Sequence, residues 1–341
     1  MDPTPTAFDP HLQSELERLH RSGGLALALR GLHRHQVASG FIRDELKEVQ
    51  RFEFTSPDEA PAYFSVQFNP ARARRFAGRG LDQPPAGAIS THGGCFLCPN
   101  NIAWQQQGAE KGYRIGLGQN AFVIWMNPFP LASGHAIVAT EEHLPQHWDP
   151  VDQPIGQLVD ELTELACQVP GWISFYNGVG AGASIVGHRH FHVMPRTSGL
   201  KPLPIELAAE RFSGAQDTGR GPARVTGHYP IDFVHWRGPA QVVQAGARQW
   251  LCGWQERHAD NHDATANLMA CYASNREQLD LYFVPRVRSR SRAEGFSGVI
   301  GSFEAMGEII CSTEQERIQI ESGQVDYRRI HQLLATVSVK V

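Results

Sequence analysis

One stretch limits what this chain can fold into more than any other. Gly187-His188-Arg189-His190-Phe191-His192-Val193-Met194-Pro195 alternates histidine with Arg189, Phe191 and Val193. In an extended strand, side chains two apart share a face. His188, His190 and His192 therefore point one way, and Phe191 and Val193 point the other, into a core. Just upstream, the apolar run Trp172–Asn177 leads into Gly178-Val179-Gly180-Ala181-Gly182-Ala183-Ser184. Two apolar strands joined by a short glycine-rich turn belong in a sheet with antiparallel neighbours. Such a turn also lets backbone N–H groups come close to a phosphate.

The rest of the chain arranges itself around this pair. Leu12, Leu16 and Leu19 mark an amphipathic helix that Ser22-Gly23-Gly24 interrupts. Arg51–Thr55 and Tyr63–Phe68 read as strands ending at Asn69-Pro70-Ala71-Arg72, with Arg74 and Arg75 beyond. That basic cluster could meet a nucleotide or phosphate, although a solvated loop is the commoner reading of such a run. Residues 77–94 read as a loop. Ala121–Met126 and Gly134–Thr140 read as strands around the turn Asn127-Pro128-Phe129-Pro130. Residues 152–168 carry Ile155, Leu158, Leu162 and Leu165 on one helical stripe. The links between strands are mostly short, so the expected class is α+β: a mainly antiparallel sheet with one long helix across a face. Later segments repeat this pattern, with a strand at Phe233–Trp236, a helix at 240–256, strands at Asn267–Tyr272 and Leu279–Pro285, and a final helix at 326–337.

The chain has 341 residues, about two domains' worth, with 41% hydrophobic and 19% charged residues. The expected division is an N-terminal helical cap with a first strand over 1–60, a catalytic unit over 61–200, a Gly/Pro/Ser-rich connection over 201–230, and a second unit over 231–341. A net charge of -4 argues against a broad nucleic-acid surface. No apolar run spans a bilayer, and Met1-Asp2-Pro3-Thr4-Pro5 has no secretory pattern, so the expected setting is cytoplasmic, away from membranes.

Three imidazoles on one strand face could bind a metal, line a catalytic pocket or be incidental. Imidazole is also a competent nucleophile on activated phosphorus and can split one transfer into two steps. Gly178, Gly180, Gly182 and Ser184 suit the task of holding phosphate charge. Of the six cysteines, only Cys95 and Cys98 are close in sequence. Cys-x-x-Cys lets two thiolates reach one ion, and zinc wants two further N or S ligands. His143 and His188 could supply them, while a pair of unliganded or redox-active thiols is the alternative. A zinc site made of the three strand histidines is disfavoured, since it would leave both cysteines unused.

Asn127-Pro128-Phe129-Pro130 with Gly134-His135-Ala136-Ile137-Val138 resembles the first substrate-lining strand pair of one branch of the histidine-triad superfamily, and Phe175-Tyr176-Asn177, Gly182-Ala183-Ser184 and His188-Arg189-His190 resemble its active-site core. The branch is that of the galactose-1-phosphate uridylyltransferases and diadenosine tetraphosphate phosphorylases. Gln67-Phe68-Asn69-Pro70-Ala71-Arg72 and Cys95-Phe96-Leu97-Cys98 resemble a bacterial family within it. The likeness is strong over residues 67–196 and faint beyond 230. It implies a fold of two histidine-triad-like halves, the second degenerate.

The resemblance also implies roles. His190 matches the nucleophile that takes a nucleotidyl group, assisted by His192 and Ser184. Asn177, Gly182 and Ser184 match residues around the phosphates, Arg72 and Asn127 are looser matches to nucleotide contacts, and Arg189 is a further candidate for substrate binding. Cys95, Cys98, His143 and His188 match the ligands of a structural zinc. The expected partners are a nucleotide and a phosphate or phosphate-ester acceptor, and relatives are often homodimers. The expected reaction is nucleotidyl transfer or phosphorolysis at the α-phosphate of a dinucleoside polyphosphate or nucleoside-diphosphate sugar. A nucleotide hydrolase and a non-catalytic, zinc-organised nucleotide binder are the rivals.

Two residues depart from the pattern. His192 stands where the transferases and phosphorylases carry glutamine, as in the small histidine-triad hydrolases, and Arg189 replaces the proline of the uridylyltransferases. In the second half, Arg286, Arg288, Arg290 and Arg292 alternate, so four guanidinium groups could line one face for phosphate, or form a solvated loop.

Overall fold

The computed structural model describes residues 6–43, 46–56, 61–74, 80–149, 153–196, 201–212, 221–292 and 298–340. Arg75, residues 213–220 of the expected connection, and Ser297 lie outside these residues. The chain is mixed α+β with mainly antiparallel strands, as expected. It forms two compact units interleaved along the sequence. The first comprises Met1–Lys47, Ala71–Gln146 and Ile185–Pro195; the second comprises Glu48–Pro70, His147–Ser184 and Arg196–Val341.

In the first unit, the strands Tyr113–Leu117, Asn120–Met126, Ala136–Thr140 and His190–Pro195 pair antiparallel in that order. The register sets Ile137 opposite His192 and Ala139 opposite His190. Val123 faces Ala139 and Trp125 faces Ile137. Directly paired residues share a face, so the histidines lie on the same side as Val123, Trp125 and Ala139. That side packs a core with Ala7, Leu97 and Ile102, against which Cys95 also rests. The histidine strand and the Cys-x-x-Cys segment thus meet over one hydrophobic cluster. Phe191 and Val193, on the other side, are fully buried, as the alternation requires.

The interruption expected at Ser22-Gly23-Gly24 divides two helices, Pro10–Gly23 and Leu25–Ala38, and Gly24 at φ +79° makes the break. Asp9 caps the first by accepting the Leu12 N–H at 2.8 Å.

Glu110 is buried in this unit, and burial pushes its carboxyl up to about 8. A raised folded-state value stabilises the fold fully below the unfolded value of 4.5 and is lost as pH rises through 8. Urea unfolding of the native chain against Glu110→Gln therefore shows a constant difference below pH 4.5. It shifts against the native chain by a few kcal/mol, in order of magnitude, up to pH 8 and then levels off. A difference that did not change with pH would contradict this.

In the second unit, the strands Trp172–Asn177, Ala264–Tyr272, Leu279–Val287, Phe233–Gly238 and Ala223–Val225 pair antiparallel in that order. The helices Ile155–Gln168 and Ala240–Arg257 pack together, with Asp160 taking hydrogen bonds from Gln244 and Arg248. A smaller sheet joins Gln50–Thr55, Tyr63–Phe68 and Glu308–Cys311, the last pairing parallel. Within the expected connection, Pro204–Phe212 is a helix. Among the described residues, no helix is long and apolar enough to cross a membrane.

Candidate active site and metal centre

The Cys-x-x-Cys segment is a built knuckle. Thr91 leads into His92, Gly93 and Gly94, all at positive φ (49°, 63° and 78°), and the chain then turns through Cys95. Asn101, wholly buried, stitches the turn: its Nδ2 donates to the carbonyls of Thr91 (2.7 Å) and Cys95 (2.8 Å), and its Oδ1 accepts the Thr91 N–H. Gln105 Nε2 donates to the Gly94 carbonyl at 2.6 Å. Pro99 opens the helix Pro99–Gln105, where its missing N–H costs nothing.

Cys95, Cys98, His143 and His188 converge, with one donor atom from each lying within 4.8 Å of the others. His188 Nδ1 is 3.4 Å from Cys95 Sγ and 3.6 Å from Cys98 Sγ, and His143 Nδ1 is 3.3 Å from Cys98 Sγ. Bonds of zinc length in a tetrahedron put neighbouring donors roughly 3.3–3.8 Å apart. His188 Nε2–H donates to the Thr140 carbonyl at 2.7 Å, which leaves the Nδ1 lone pair for the ion. Cys98 hydrogen-bonds Cys95 and, with His188, favours the Cys95 thiolate; the same neighbouring sulfur holds the Cys98 thiol up. Such a sulfur pair readily exchanges its shared proton for a cation. Two sulfurs and two imidazole nitrogens at these distances suit zinc.

His92 also belongs to this cluster. Its ring stacks on His143 at 4.0 Å and 4°, and its Nδ1 lies 3.7 Å from Cys98 Sγ. Its sequence signal was its place three residues before Cys95.

His190 is buried and opens the strand His190–Pro195, two residues after His188, which lies in the bend before that strand. Its Nδ1–H donates to the His188 carbonyl at 2.8 Å, so the neutral ring presents its lone pair at Nε2. Burial holds the ring down to about 4, and so neutral near pH 7. The wholly buried Gln146 grips the His190 backbone, accepting its N–H at 2.8 Å and donating to its carbonyl at 3.2 Å. No sequence pattern marked Gln146, because a side chain here does a neighbouring strand's work.

His192 lies against His190 (ring centroids 5.3 Å) and against His135 (5.2 Å). Arg72 donates to the Phe129 carbonyl at 2.7 Å; burial first, and the Arg72 charge after it, lower the pKa of both His135 and His192. Asn127 Oδ1 accepts the Phe129 N–H at 2.9 Å, which shapes the Asn-Pro-Phe-Pro turn. Arg189 is fully buried, its N–H donating to the Leu144 carbonyl.

The glycine-rich turn lies in the second unit. Asn177 Oδ1 accepts from the Ser302 N–H (2.7 Å) and from Asn267 Nδ2 (3.2 Å), and Asn267 Nδ2 also donates to the Ala181 carbonyl at 2.6 Å. A Cβ on Gly182 would come within 2.4 Å of Gly301 Cα, and one on Gly178 within 2.5 Å of the Ala266 carbonyl oxygen. Backbone crowding alone therefore demands glycine at both positions. Ser184 is exposed at the end of the turn.

The arginine row is not one face. The strand ends at Val287, and Arg288–Arg290 form a 3-10 turn. Arg286 is 1% exposed and donates to Asn267 Oδ1 and the Ile300 carbonyl, both at 2.8 Å. It holds Asn267, which in turn holds Asn177 and the glycine turn.

Residues 33–195 match a family described as a domain of unknown function (DUF4922). No curated protein matches the chain. Solved structures of yeast Ap4A phosphorylase Apa2 are similar in fold. The complex with AMP matches with a TM-score of 0.56 and 15% identity, over 91% of this chain and 96% of that one. The complex with Ap4A matches with a TM-score of 0.56 and 13% identity, over 97% and 98%. The chain thus shares the mixed α+β fold of these phosphorylase structures.

Proposed function

We propose that this chain is a nucleotidyltransferase that cleaves dinucleoside polyphosphates, or nucleoside-diphosphate sugars, through a covalent nucleotidyl-histidine on His190. The observation that carries the reading is the His190 ring itself: neutral, anchored at Nδ1 to the His188 carbonyl, with its lone pair on Nε2. The fold shared with an Ap4A phosphorylase supports the same reading.

In the first step, the Nε2 lone pair forms a bond to the α-phosphorus. The bond from that phosphorus to the bridging oxygen breaks, and its electron pair leaves with the oxygen. The ring then carries positive charge, which the His188 carbonyl accepting from Nδ1–H stabilises. In the second step an acceptor oxygen attacks the same phosphorus and His190 departs. Two half-reactions sharing one intermediate give ping-pong kinetics.

Cys95, Cys98, His143 and His188 would hold a zinc ion, which ties the knuckle to the foot of the histidine strand and supplies no step of the transfer. The phosphate contacts of Asn177, Gly182 and Ser184 belong to the same proposal and rest on the resemblance alone.

The acceptor is inorganic phosphate or a phosphate ester. Product analysis with Ap4A tests this. With millimolar phosphate the expected products are ATP and ADP, and without phosphate turnover stalls after one equivalent of ATP. AMP with or without phosphate would instead identify water as the acceptor and the protein as a hydrolase.

A further inference from the structure

The knuckle brings a further nitrogen donor to the metal centre. His92 Nδ1 lies 3.7 Å from Cys98 Sγ, within the range expected of neighbouring donors around one zinc ion, and His143 Nδ1 lies 3.3 Å from the same sulfur. The two rings stack with centroids 4.0 Å apart and planes 4° apart. Two imidazoles thus stand one behind the other at one sulfur. Among the described residues, the group whose donor atoms all lie within 4.8 Å of one another includes His143 and not His92. His92 is therefore no fifth ligand of the same tetrahedron; it stands one stacked ring outside it.

The four ligands are not held alike. His188 is fully buried, and its Nε2–H donates to the Thr140 carbonyl, which fixes the ring. Cys98 is buried, and Cys95 is anchored through its carbonyl by Asn101. His143 is half-buried and His92 is exposed, so this imidazole pair forms the outer side of the centre. The backbone beside His92 has room to move. His92 sits at φ +49°, uncommon for a residue with a side chain, and such conformations cluster where a site requires them. A Cβ on the next residue, Gly93, would meet nothing within 4 Å, so that joint stands in open space.

We propose that His92 is a reserve zinc ligand: when His143 leaves the ion, His92 moves into its place, and the centre keeps four ligands. This rests on the zinc site read from the four-residue cluster, and not on the chemistry at His190. One Zn–N bond to His143 breaks as one to His92 forms; both rings are neutral, so the charge of the centre is unchanged. Water competes for the vacated position, but His92, three residues from Cys95, is tethered there at high effective concentration. Loss of the ion then requires both outer rings to let go.

Zinc binding and release by the full-length protein, measured against a competing chelator, test this. The native chain is expected to bind one equivalent. His143→Ala is expected to keep that equivalent, weakened by no more than about a hundredfold. His92→Ala, at an exposed position, is expected to fold and bind zinc, but to release it to excess chelator at least about tenfold faster than the native chain. The double variant His92→Ala/His143→Ala is expected to bind at least about a hundredfold more weakly than His143→Ala. Ring-nitrogen NMR of His143→Ala is expected to show the His92 Nδ1 resonance shifting when zinc is added. A double variant that binds as tightly as His143→Ala overturns the proposal, because water then fills the position. Loss of zinc from a folded His143→Ala chain, or release from His92→Ala at the native rate, overturns it as well. If His143→Ala does not fold, the release rate of His92→Ala decides alone. A native chain that takes up no zinc refutes the zinc site itself, and the reserve ligand with it.

Discussion

His190→Ala should abolish transfer, with turnover of the best dinucleoside polyphosphate falling by about four orders of magnitude or more, the scale on which loss of a nucleophile is felt. The substitution removes the only atom assigned to bond with phosphorus. Little else changes: the His188 carbonyl loses a donor, a structural cost of about 1–2 kcal/mol, and the strand keeps its grip through Gln146, which bonds the backbone of residue 190. The variant should therefore fold, keep its metal and still bind nucleotide. Steady-state kinetics should show the loss in kcat, with KM little altered, because the interaction is made in the transition state. A variant that kept a tenth of native turnover would remove His190 from the chemistry.

The second large effect is expected at Cys98. Its sulfur is the hub of the knuckle, within 3.3–3.7 Å of His143, His188 and His92 nitrogens. Cys98→Ser replaces a thiolate with a hydroxyl that stays protonated at neutral pH and binds zinc poorly. Metal analysis should give one equivalent of zinc for the native chain and close to none for this variant. Thermal unfolding should begin roughly 5–10 °C lower. Chelator treatment should lower the native chain to the same temperature and leave the variant where it is. His192→Ala should keep the metal, because His192 lies with His135 and His190 and outside the four-residue cluster. Zinc lost from both variants would mean that the strand histidines themselves form the metal site.

The parts of this site that sequence made legible are those set by local periodicity. Alternation over 188–194 reads as one strand face carrying three histidines; the strand begins at His190, so the two-residue repeat holds for His190 and His192, with Phe191 and Val193 buried opposite, while His188 lies in the bend before it. Cys-x-x-Cys was readable for the same reason, its spacing being that of a single turn. What stayed hidden depends on register between distant segments. His135 and His192 are 57 residues apart and meet because Ile137 pairs with His192 across two strands. Gln146 acts as a strand neighbour through a side chain, which no pattern announces.

Short or glycine-bearing elements were hidden too. Tyr113–Leu117 alternates buried and exposed residues but carries Gly116, and Pro99–Gln105 is one short helix with two asparagines. Pro204–Phe212 lies inside a stretch whose Gly and Pro content suggested a connection. Arg286 misled in the other direction: the alternation it begins looked like an exposed face, yet its guanidinium is buried holding Asn267.

The central claim is a covalent bond between His190 and a nucleotidyl group, and intact-protein mass tests it most directly. On mixing with a dinucleoside polyphosphate and no acceptor, the native chain should gain the mass of one nucleotidyl group, located on His190 by fragmentation and released as the nucleoside diphosphate when phosphate is added. The His190→Ala chain should gain nothing. Turnover without any adduct on the native chain, or an equal adduct on the alanine variant, would contradict the account.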